Sequence, residues 1–299
     1  MLADAVAAWA AGSRRAVDAT VGGGGHAALL VAAGAEVLAA DRDAAAIAAA
    51  RARLGATGVR YVTGAFGSAE LLSTVAAFQP DRILLDLGVS SHQIDADDRG
   101  FTFRPGAPLD MRMGAEEGRP TAADVLNTWT ADALSEAFVD LADERPGTAR
   151  RLGRVIVRRR ARAPFATSDD FVNAIREALG PRSGAPEFAR LFQALRITVN
   201  DEREELERGL PALRDALCPR GRLGVISYHS GEDRIVKHAF REWARGCVCP
   251  PRQPVCTCRG RPLGRVLTPR AVRPSPDEIA ANPRARSARF RAFEVSDGP

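Results

Sequence analysis

The sequence of 299 residues lacks the features of a membrane-spanning or secreted protein. Glycines and charged residues interrupt every apolar run well before the roughly 20 residues that a membrane-spanning helix needs. The apolar residues 1–11 have no basic segment ahead of them, because Arg14 and Arg15 follow them instead, and this order is wrong for a secretory signal. We therefore expect a cytoplasmic protein with no membrane partner.

Lysine is almost absent, since Lys237 is the only one, yet Lys and Arg together number 42 and the net charge is +5. A basic chain favours an acidic partner such as nucleic acid. The whole sequence uses arginine in place of lysine, however, so the total number of arginines is weak evidence for such a partner. Local clustering is more informative. Arginines crowd one short stretch, at Arg150, Arg151, Arg154, Arg158, Arg159, Arg160 and Arg162. They fit either a phosphate-binding surface or a solvated helix face paired with nearby acids.

No Gly-Lys pair occurs in the sequence, which excludes a phosphate-binding Walker loop. That exclusion matters because "VDATVGGGGHAALL" places four consecutive glycines between a predicted strand and a predicted helix. Such a turn brings backbone N–H groups toward a ligand. A dinucleotide fits loosely, with Asp41 binding its ribose. S-adenosylmethionine would use the same turn and the same Asp41, with the acidic Asp18 just ahead of the glycines. Both ligand classes stay open at this point, as does a turn without a ligand.

Strand and helix patterns alternate over the first hundred residues, which indicates a parallel sheet covered by helices. Strands are predicted to end at Val17 and to span 36–40, 59–62, "DRILLDLG" and 223–228. Residues 120–217 are helical in pattern, and "SARFRAFEV" is predicted to be a closing edge strand. Capping residues mark two helix starts, Asp43 for one and Thr167 with Asp170 for the other. The expected fold class is α/β, with a helical insertion.

Six stretches, including the glycine turn, closely resemble one family. "DATVGGGGH", "ADRD", "DLGVSSHQIDADDRGFTFRPGAPLDMRM", "FQALRITVNDE", "ISYHSGEDRIVK" and "NPRARSARFR" occur in this order. They resemble the ribosomal RNA small subunit methyltransferase H family, also called MraW, over nearly the whole chain. The resemblance implies a Rossmann-like class I S-adenosylmethionine-dependent methyltransferase domain with an inserted all-helical domain. We place the methyltransferase domain at 1–110 and 214–299, and the insertion, as the candidate for RNA recognition, at 111–213.

The implied activity is methylation of the exocyclic N4 of a decoding-centre cytidine in 16S rRNA, within the small ribosomal subunit. Amine chemistry rests on the resemblance alone, because the Pro-Pro-aromatic tripeptide of many amino-methyltransferases is absent and Leu-Gly-Val follows Asp86. The cofactor-binding residues of the family correspond here to Gly24, Gly25, His26, Asp41, Phe66, Asp86 and Gln93. The alternatives are that His26 caps the first helix and that Phe66 belongs to the core.

An amine whose lone pair is delocalised into a ring needs an acceptor for its proton and in-line positioning. Asp110 in "LDMR" and His229 in "YHSGED" are the catalytic candidates. The alternative for Asp110, slightly favoured, is a salt bridge with Arg112, and for His229 it is a hydrogen-bonded structural role. The target base must also leave its stack. Phe101, Phe103 and the arginine-rich insertion are candidates for that step.

Cysteines are few, and most of them are close together. Cys218 stands alone, whereas Cys247, Cys249, Cys256 and Cys258 form two Cys-x-Cys pairs joined by a Pro-rich turn. Four thiolates can hold zinc, but Cys-x-Cys is less typical than Cys-x-x-Cys, and a cytoplasmic setting disfavours disulfides. We assign no metal from the sequence, and free thiols or a structural zinc both stay open.

Two other functions stay open as well. The glycine turn and Asp41 permit an NAD-dependent dehydrogenase. A catalytically weak RNA-binding factor for ribosome assembly would keep a vestigial pocket, although the joint presence of Asp41, Asp86 and Gln93 speaks against it.

Overall fold

The computed structural model describes residues 2–90, 93–94, 96–114, 118–250, 253 and 255–297. The chain divides into two compact units, one of residues 1–88 and 203–299 and the other of residues 89–202. We call them the sheet unit and the helical unit. None of the helices in the described ranges is long and apolar enough to cross a membrane.

The regular elements, numbered in chain order, alternate first and then become helical. The strands are β1 (Arg15–Asp18), β2 (Glu36–Asp41), β3 (Val59–Thr63), β4 (Arg82–Asp86), β5 (Arg222–Ser227), β6 (Gly264–Val266) and β7 (Arg289–Val295). The helices are α1 (Ala3–Ala10), α2 (Gly25–Ala32), α3 (Ala44–Leu54), α4 (Ala69–Phe78), α5 (Ala122–Thr128), α6 (Ala131–Ala142), α7 (Pro146–Arg160), α8 (Ser168–Leu179), α9 (Ala185–Asn200), α10 (Glu202–Asp215), α11 (Ser230–Trp243) and α12 (Pro276–Ala281).

The sheet unit contains a seven-stranded sheet in the order β3-β2-β1-β4-β5-β7-β6. Strands β1 to β5 are parallel, and β7 runs antiparallel to β5 and β6. The chain begins in the middle of the sheet, builds outward to β3, and then crosses back to β4. Open parallel sheets bind ligands at the carboxyl ends of the strands beside such a reversal. The α/β Rossmann-like fold class is confirmed.

Strand β4 shows why the central strands are continuous apolar runs. Ile83 and Leu85 pack in one core cluster with residues of α4, α10 and α11, while Leu84 packs in another with residues of α1, α2 and α3. Successive side chains of a strand point to opposite faces of the sheet. Because helices cover both faces, apolar side chains are favoured at every position of the strand.

The helical unit has a core of its own, built from α5 to α9. Phe171 of α8 lies 5.0 Å from the Phe192 ring and 6.0 Å from the Phe138 ring, between ring centroids. Helix α8 begins where its capping residues predict, because Asp170 accepts the main-chain N–H of Thr167 at 2.9 Å. The described residues of this unit form helices and a single isolated β-bridge.

The boundaries of the two units lie earlier in the chain than the divisions after 110 and 213 drawn from the sequence. Leu109 and Met111 are buried in the helical core, and the Leu109 N–H donates to the Ala166 carbonyl at 3.1 Å. Leu206 and Leu210 of α10, in contrast, are buried among residues of the sheet. The long loop after β4 therefore folds with the helices, and the last helix of the predicted insertion folds with the sheet.

The prediction that "SARFRAFEV" closes the sheet as an edge strand is wrong. Strand β7 lies between β5 and β6, and the three-residue β6 is the edge. The two arginines that give β7 its alternating pattern are paired with one carboxylate. Arg291 is 8% exposed and donates to Asp233 of α11 at 2.7 and 3.1 Å, and Arg289 donates to the same carboxylate at 3.2 Å.

Candidate active site

The glycine turn between β1 and α2 is shaped by close packing at one position. Gly24 has a φ of 78°, in the left-handed region that favours glycine, and is the N-cap residue of α2. A Cβ at Gly24 would lie 3.3 Å from the Ala50 Cα and from the Leu54 Cδ1, both in α3. This glycine is therefore required by the fold itself.

The neighbouring glycines are not required in this way. A Cβ at Gly23 would meet no atom within 4 Å, and a Cβ at Gly25 would meet only a guanidinium nitrogen of Arg53, at 4.0 Å. Packing therefore leaves the main chain open on both sides of Gly24. An open main chain at a helix N-terminus is what a ligand approaching this turn would use.

Asp41 ends β2 beside the turn. Its Oδ2 accepts the Gly22 N–H and its Oδ1 accepts the Asp43 N–H, both at 2.9 Å. Burial raises the pKa of Asp41, although these two hydrogen bonds oppose the shift. Each carboxylate oxygen has a second lone pair and can accept one further hydrogen bond. The carboxylate is thus held in a fixed orientation with acceptor capacity to spare.

Two further acids end β1 and β4, and a histidine of α2 lies beside them. His26 of α2 places its Nδ1 3.2 Å from the Asp86 Oδ2. Burial acts to lower the pKa of His26, but the hydrogen bond and charge of Asp86 outweigh it, so the pKa is raised. Asp18 is buried, and burial raises its pKa to about 7, with Asp86 and Asp41 adding to the shift and His26 opposing it. His26 does not cap α2, since Gly24 occupies that position.

Tyr228, which follows β5, completes this cluster and was not predicted from the sequence. Its hydroxyl donates to the Asp86 Oδ1 at 2.8 Å, and burial together with Asp86 raises the pKa of Tyr228. The Asp86 main-chain N–H in turn donates to the Thr20 hydroxyl at 2.6 Å. Adjacent parallel strands end at one edge of a sheet, so the pairing of β4 with β5 was the signal that could have found Tyr228.

Comparison with known proteins places this geometry in a family. The sequence model of the MraW methylase family matches residues 5–296. The chain belongs to this family. A curated relative from Gemmatimonas aurantiaca, named ribosomal RNA small subunit methyltransferase H, is 56% identical over 281 residues, which is 93% of this chain and 88% of the relative. A relative of the same name from Thermomicrobium roseum is 46% identical, over 94% of this chain and 87% of its own length. Another from Heliobacterium modesticaldum is 44% identical, over 93% of this chain and 91% of its own length.

Membership in the MraW family decides between the two ligand classes that the glycine turn left open. The protein is a methyltransferase, its methyl donor is S-adenosylmethionine, and the dehydrogenase interpretation is wrong. The residues at the turn fit this cofactor. The open main chain at Gly23 and Gly25 and the spare lone pairs of Asp41 offer donors to an amino acid end and acceptors to a ribose. Asp18, Asp41 and Asp86 carry more negative charge than His26 can neutralise, which suits a ligand bearing sulfonium and ammonium groups.

Phe66 of this MraW-family chain follows β3 and is half-buried against the sheet core. A Cβ at Gly209 of α10 would lie 2.8 Å from the Phe66 ring, so the ring rests directly on that helix. Glu205 of α10 fixes the same loop by accepting the Gly67 N–H at 3.2 Å, and it also forms an ion pair with Arg42. The ring is therefore held by core contacts while part of it stays accessible, and its predicted contact with the adenine stays a prediction.

Gln93 and Asp110 lie in the helical unit and make local contacts there. The Gln93 side chain accepts the Ser90 N–H at 3.0 Å and donates to the Met113 carbonyl at 3.5 Å, so it ties together the two ends of the long loop. Asp110 forms a two-pronged ion pair with Arg112, at 2.8 and 2.7 Å. This salt bridge is the alternative predicted for Asp110, and its hydrogen bonds lower the pKa of that carboxyl.

His229 is the N-cap residue of α11. Its Nδ1 accepts the N–H groups of Gly231 and Glu232 at 3.2 and 3.4 Å. A neutral ring that accepts at Nδ1 carries its proton on Nε2, as inferred from these bonds. Nε2 lies 3.0 Å from the Glu232 Oε1 but outside hydrogen-bonding geometry, and it has no hydrogen-bond partner in the described part of the chain. The observed contacts favour the structural alternative for His229, and its catalytic role stays a prediction.

Proposed function

We propose that this enzyme methylates the exocyclic N4 of a cytidine in the decoding centre of 16S rRNA within the small ribosomal subunit. The observation that carries the proposal is the likeness over 93% of the chain, at 56% identity, to a protein named for small-subunit ribosomal RNA methylation. The cytidine, its N4 and its position come from the resemblance carried by the Asp86–Met113 stretch. The anionic cofactor site at the sheet edge supports the methyl transfer itself.

S-adenosylmethionine supplies a methyl group activated by a sulfonium. We propose that the main chain of Gly24 and Gly25 and the carboxylate of Asp41 bind it, together with His26, Phe66, Asp86 and Gln93. The chain must also accept hydrogen bonds from the target amine, so that its lone pair points at the methyl carbon, and must then take up a proton. The Asp86 carboxylate, fixed by His26 and Tyr228, and the Leu87 carbonyl are the hydrogen-bond acceptors that we assign to this step, and the Asp86 carboxylate is the group that takes up the proton.

The two catalytic residues predicted from the sequence take different roles in this proposal. An Nε2 that carries the ring proton has no lone pair with which to accept another, so His229 would order the start of α11 beside Tyr228. Asp110 is a weak proton acceptor, because its pKa is lowered by Arg112. We propose that each residue orders its own loop, His229 the start of α11 and Asp110 the turn that contains Arg112.

A direct test uses small subunits purified from a strain that lacks this modification. Incubation with the enzyme and S-adenosylmethionine, followed by nuclease digestion and mass mapping, should place one methyl group on a single decoding-centre cytidine. Deamination chemistry or an N4-methylcytidine standard then distinguishes N4 from ring carbon or ribose methylation. The Asp41→Asn variant should bind the subunit but methylate it far more slowly. A methyl group on another base, or subunits left unmethylated by the wild-type enzyme, would refute the proposal.

We propose further that the exposed face of α7 contacts rRNA phosphates. Arg158 and Arg159 of this helix both pair with Glu177, at 3.0 Å for Arg159. Arg150 and Arg154 are exposed and have no carboxylate partner within the described ranges. The helix therefore carries excess positive charge that its surroundings do not neutralise. Both interpretations of the arginine stretch apply, each to a different part of it.

Charge reversal at the unpaired arginines tests this surface. The double variant Arg150→Glu/Arg154→Glu should weaken subunit binding and reduce the slope of log affinity against log salt by about 0.7 to 0.9 for each phosphate that the variant no longer binds. Affinity for S-adenosylmethionine should not change. The matched control is Arg234→Glu/Arg241→Glu, which makes the same charge change on the exposed face of α11. Equal losses in the two double variants, or an unchanged salt slope, would count against the α7 surface.

Phe103 is the aromatic that we propose for stacking on the displaced cytosine. It is 37% exposed, and its ring packs edge-on against Phe188 and Phe192 at 6.0 Å, so it is rigidly supported yet accessible. Stacking of a base on an aromatic ring is worth about 1–3 kcal/mol. Phe103→Ala should therefore lower kcat/KM for subunits by about tenfold or more. The control Val272→Ala, at a residue of 38% exposure, should leave it unchanged, and equal effects would argue against stacking.

A further inference from the structure

Four of the five cysteines come together at one place. Cys247, Cys249, Cys256 and Cys258 lie in the segment that connects α11 to β6, and their Sγ atoms all lie within 4.8 Å of one another. None of them is in a disulfide. The methyl transfer proposed above does not use this cluster.

The spacing of the sulfurs matches one metal ion. Cys247 Sγ and Cys249 Sγ lie 3.9 and 3.8 Å from the Cys256 Sγ, and Cys258 Sγ lies 3.5 Å from Cys256 Sγ and 3.8 Å from Cys247 Sγ. A tetrahedral zinc with Zn–S bonds of about 2.3 Å places its sulfurs about 3.8 Å apart. Disulfide sulfurs are about 2.05 Å apart. Clusters with several irons hold their thiolates farther apart than this, because the iron atoms lie between them.

Apolar packing contributes little to this arrangement in the described part of the segment. None of the described residues from 245 to 262 is buried, and Val255 is 70% exposed, so burial of apolar side chains does not hold the four sulfurs together. Thiols are weak hydrogen-bonding groups and would not by themselves gather four side chains. A metal ion, in contrast, can supply the folding energy of a small segment that lacks a core.

The surroundings of the sulfurs are ordered in the way that a metal site requires. The Val248 N–H donates to the Cys258 Sγ at 3.3 Å, a hydrogen bond that favours a thiolate. Directly after the last cysteine, Arg259 donates to the carbonyls of Glu242 and Arg245 at 2.6 and 3.2 Å, at the C-terminal end of α11. The cluster is thus anchored to a helix of the sheet unit at one end of its chain segment.

We propose that Cys247, Cys249, Cys256 and Cys258 bind one structural Zn²⁺ as four thiolates. Binding converts four thiols to thiolates and releases up to four protons to solvent, with no change in oxidation state. Four protein ligands leave no open coordination position, so the ion stabilises the segment and takes no part in methyl transfer.

Elemental analysis of the full-length protein, purified without a metal-affinity step, tests this proposal. We expect about one zinc per chain in the wild type and less than about one tenth in Cys247→Ser/Cys256→Ser. The matched control is Cys218→Ser, at the half-buried cysteine outside the cluster, which should keep the full zinc content. Zinc retained by the double variant would overturn the proposal.

A measurement on the wild-type protein guards against misfolding of the variant. Titration with an organomercurial in the presence of a zinc-sensitive dye should release one zinc as four thiols react. Less than about one tenth of a zinc per chain, even after reduction and incubation with zinc, would overturn the proposal, as would stoichiometric iron in its place. Neither readout depends on methylation, so the zinc site and the proposed function succeed or fail separately.

Discussion

Replacement of Asp18 tests the electrostatics of the cofactor site through stability. Its side chain is 1% exposed, and its pKa is raised by burial from an ordinary 3.8 to about 7. In the unfolded chain this carboxyl ionises near its ordinary pKa, so between these two pH values folding takes up a proton. The raised pKa means that the cost of burying Asp18 is absent below about pH 4, grows as the pH rises, and levels off above about pH 7.

The size of this cost follows from the pKa difference. About three units at about 1.4 kcal/mol per unit give about 4 kcal/mol at pH 8. Asp18→Asn removes the charge while its side-chain oxygen can still accept the Thr20 N–H. The pKa of about 7 already includes the opposing attraction of His26, so this interaction needs no separate correction. We expect the variant to be more stable than the wild type, by a margin that grows by about 2–3 kcal/mol between pH 5 and pH 8.

Urea unfolding from pH 5 to pH 8 measures this margin. A Trp129→Phe background confines the fluorescence signal to Trp9 and Trp243, which lie in the sheet unit. The control Asp140→Asn removes an exposed charge from α6 and should change stability by less than about 0.5 kcal/mol at each pH. A margin that does not change with pH would refute the assigned electrostatics of Asp18. Calorimetry should show that the variant, although more stable, binds S-adenosylmethionine about tenfold more weakly, because the cationic ligand no longer has the Asp18 carboxylate near it.

Three further substitutions, one of them with a matched control, test particular contacts. Gly24→Ala should lower the free energy of unfolding by about 1–3 kcal/mol, because the new Cβ would press on α3 at a residue with a left-handed φ. The control Gly23→Ala should leave the free energy of unfolding unchanged and weaken cofactor binding. Equal stabilities of the two variants would contradict this packing. Tyr228→Phe removes the hydrogen bond to Asp86, so it should slow methylation and lower the free energy of unfolding by about 1 kcal/mol. An unchanged methylation rate would argue against a role for that bond. Asp233→Ala should cost about 3–5 kcal/mol at pH 7 by leaving a buried arginine unpaired. Arg291 lowers the pKa of Asp233 against the effect of burial, so the loss of stability should shrink as the pH falls below about 4. A loss of stability under about 1 kcal/mol at pH 7 would contradict the pairing.

Features that depend on neighbours in the chain could be predicted from the sequence. Asp43 caps α3 by accepting the Ala45 N–H at 3.0 Å, and Thr167 with Asp170 marks the start of α8. The glycine turn and Asp41 lie next to each other because β1 and β2 are consecutive and paired in the sheet. Such patterns span a few residues or one βαβ unit, so they can be recognised without knowledge of the tertiary structure.

Contacts that depend on pairing between distant strands were missed. Tyr228 and Asp86 are separated by 142 positions and meet only because β5 pairs with β4. Strand β6 has three residues and no pattern of its own, so its pairing with β7 was invisible. His229 belongs to a residue type that seldom caps helices, so its role at the start of α11 gave no local signal.

The insertion of the helical unit between β4 and β5 bears on the order in which the chain folds. The central strand pair of the sheet forms only after more than a hundred intervening residues have been synthesised. Closing a loop of that length in place of an ordinary crossover of about 20 residues adds only about 1.5 kcal/mol of chain entropy, and less once the helices have compacted the loop. The first four strands leave the ribosome long before their partner β5, and a transiently unpaired β4 edge is the part of the nascent chain that most needs protection from wrong pairing.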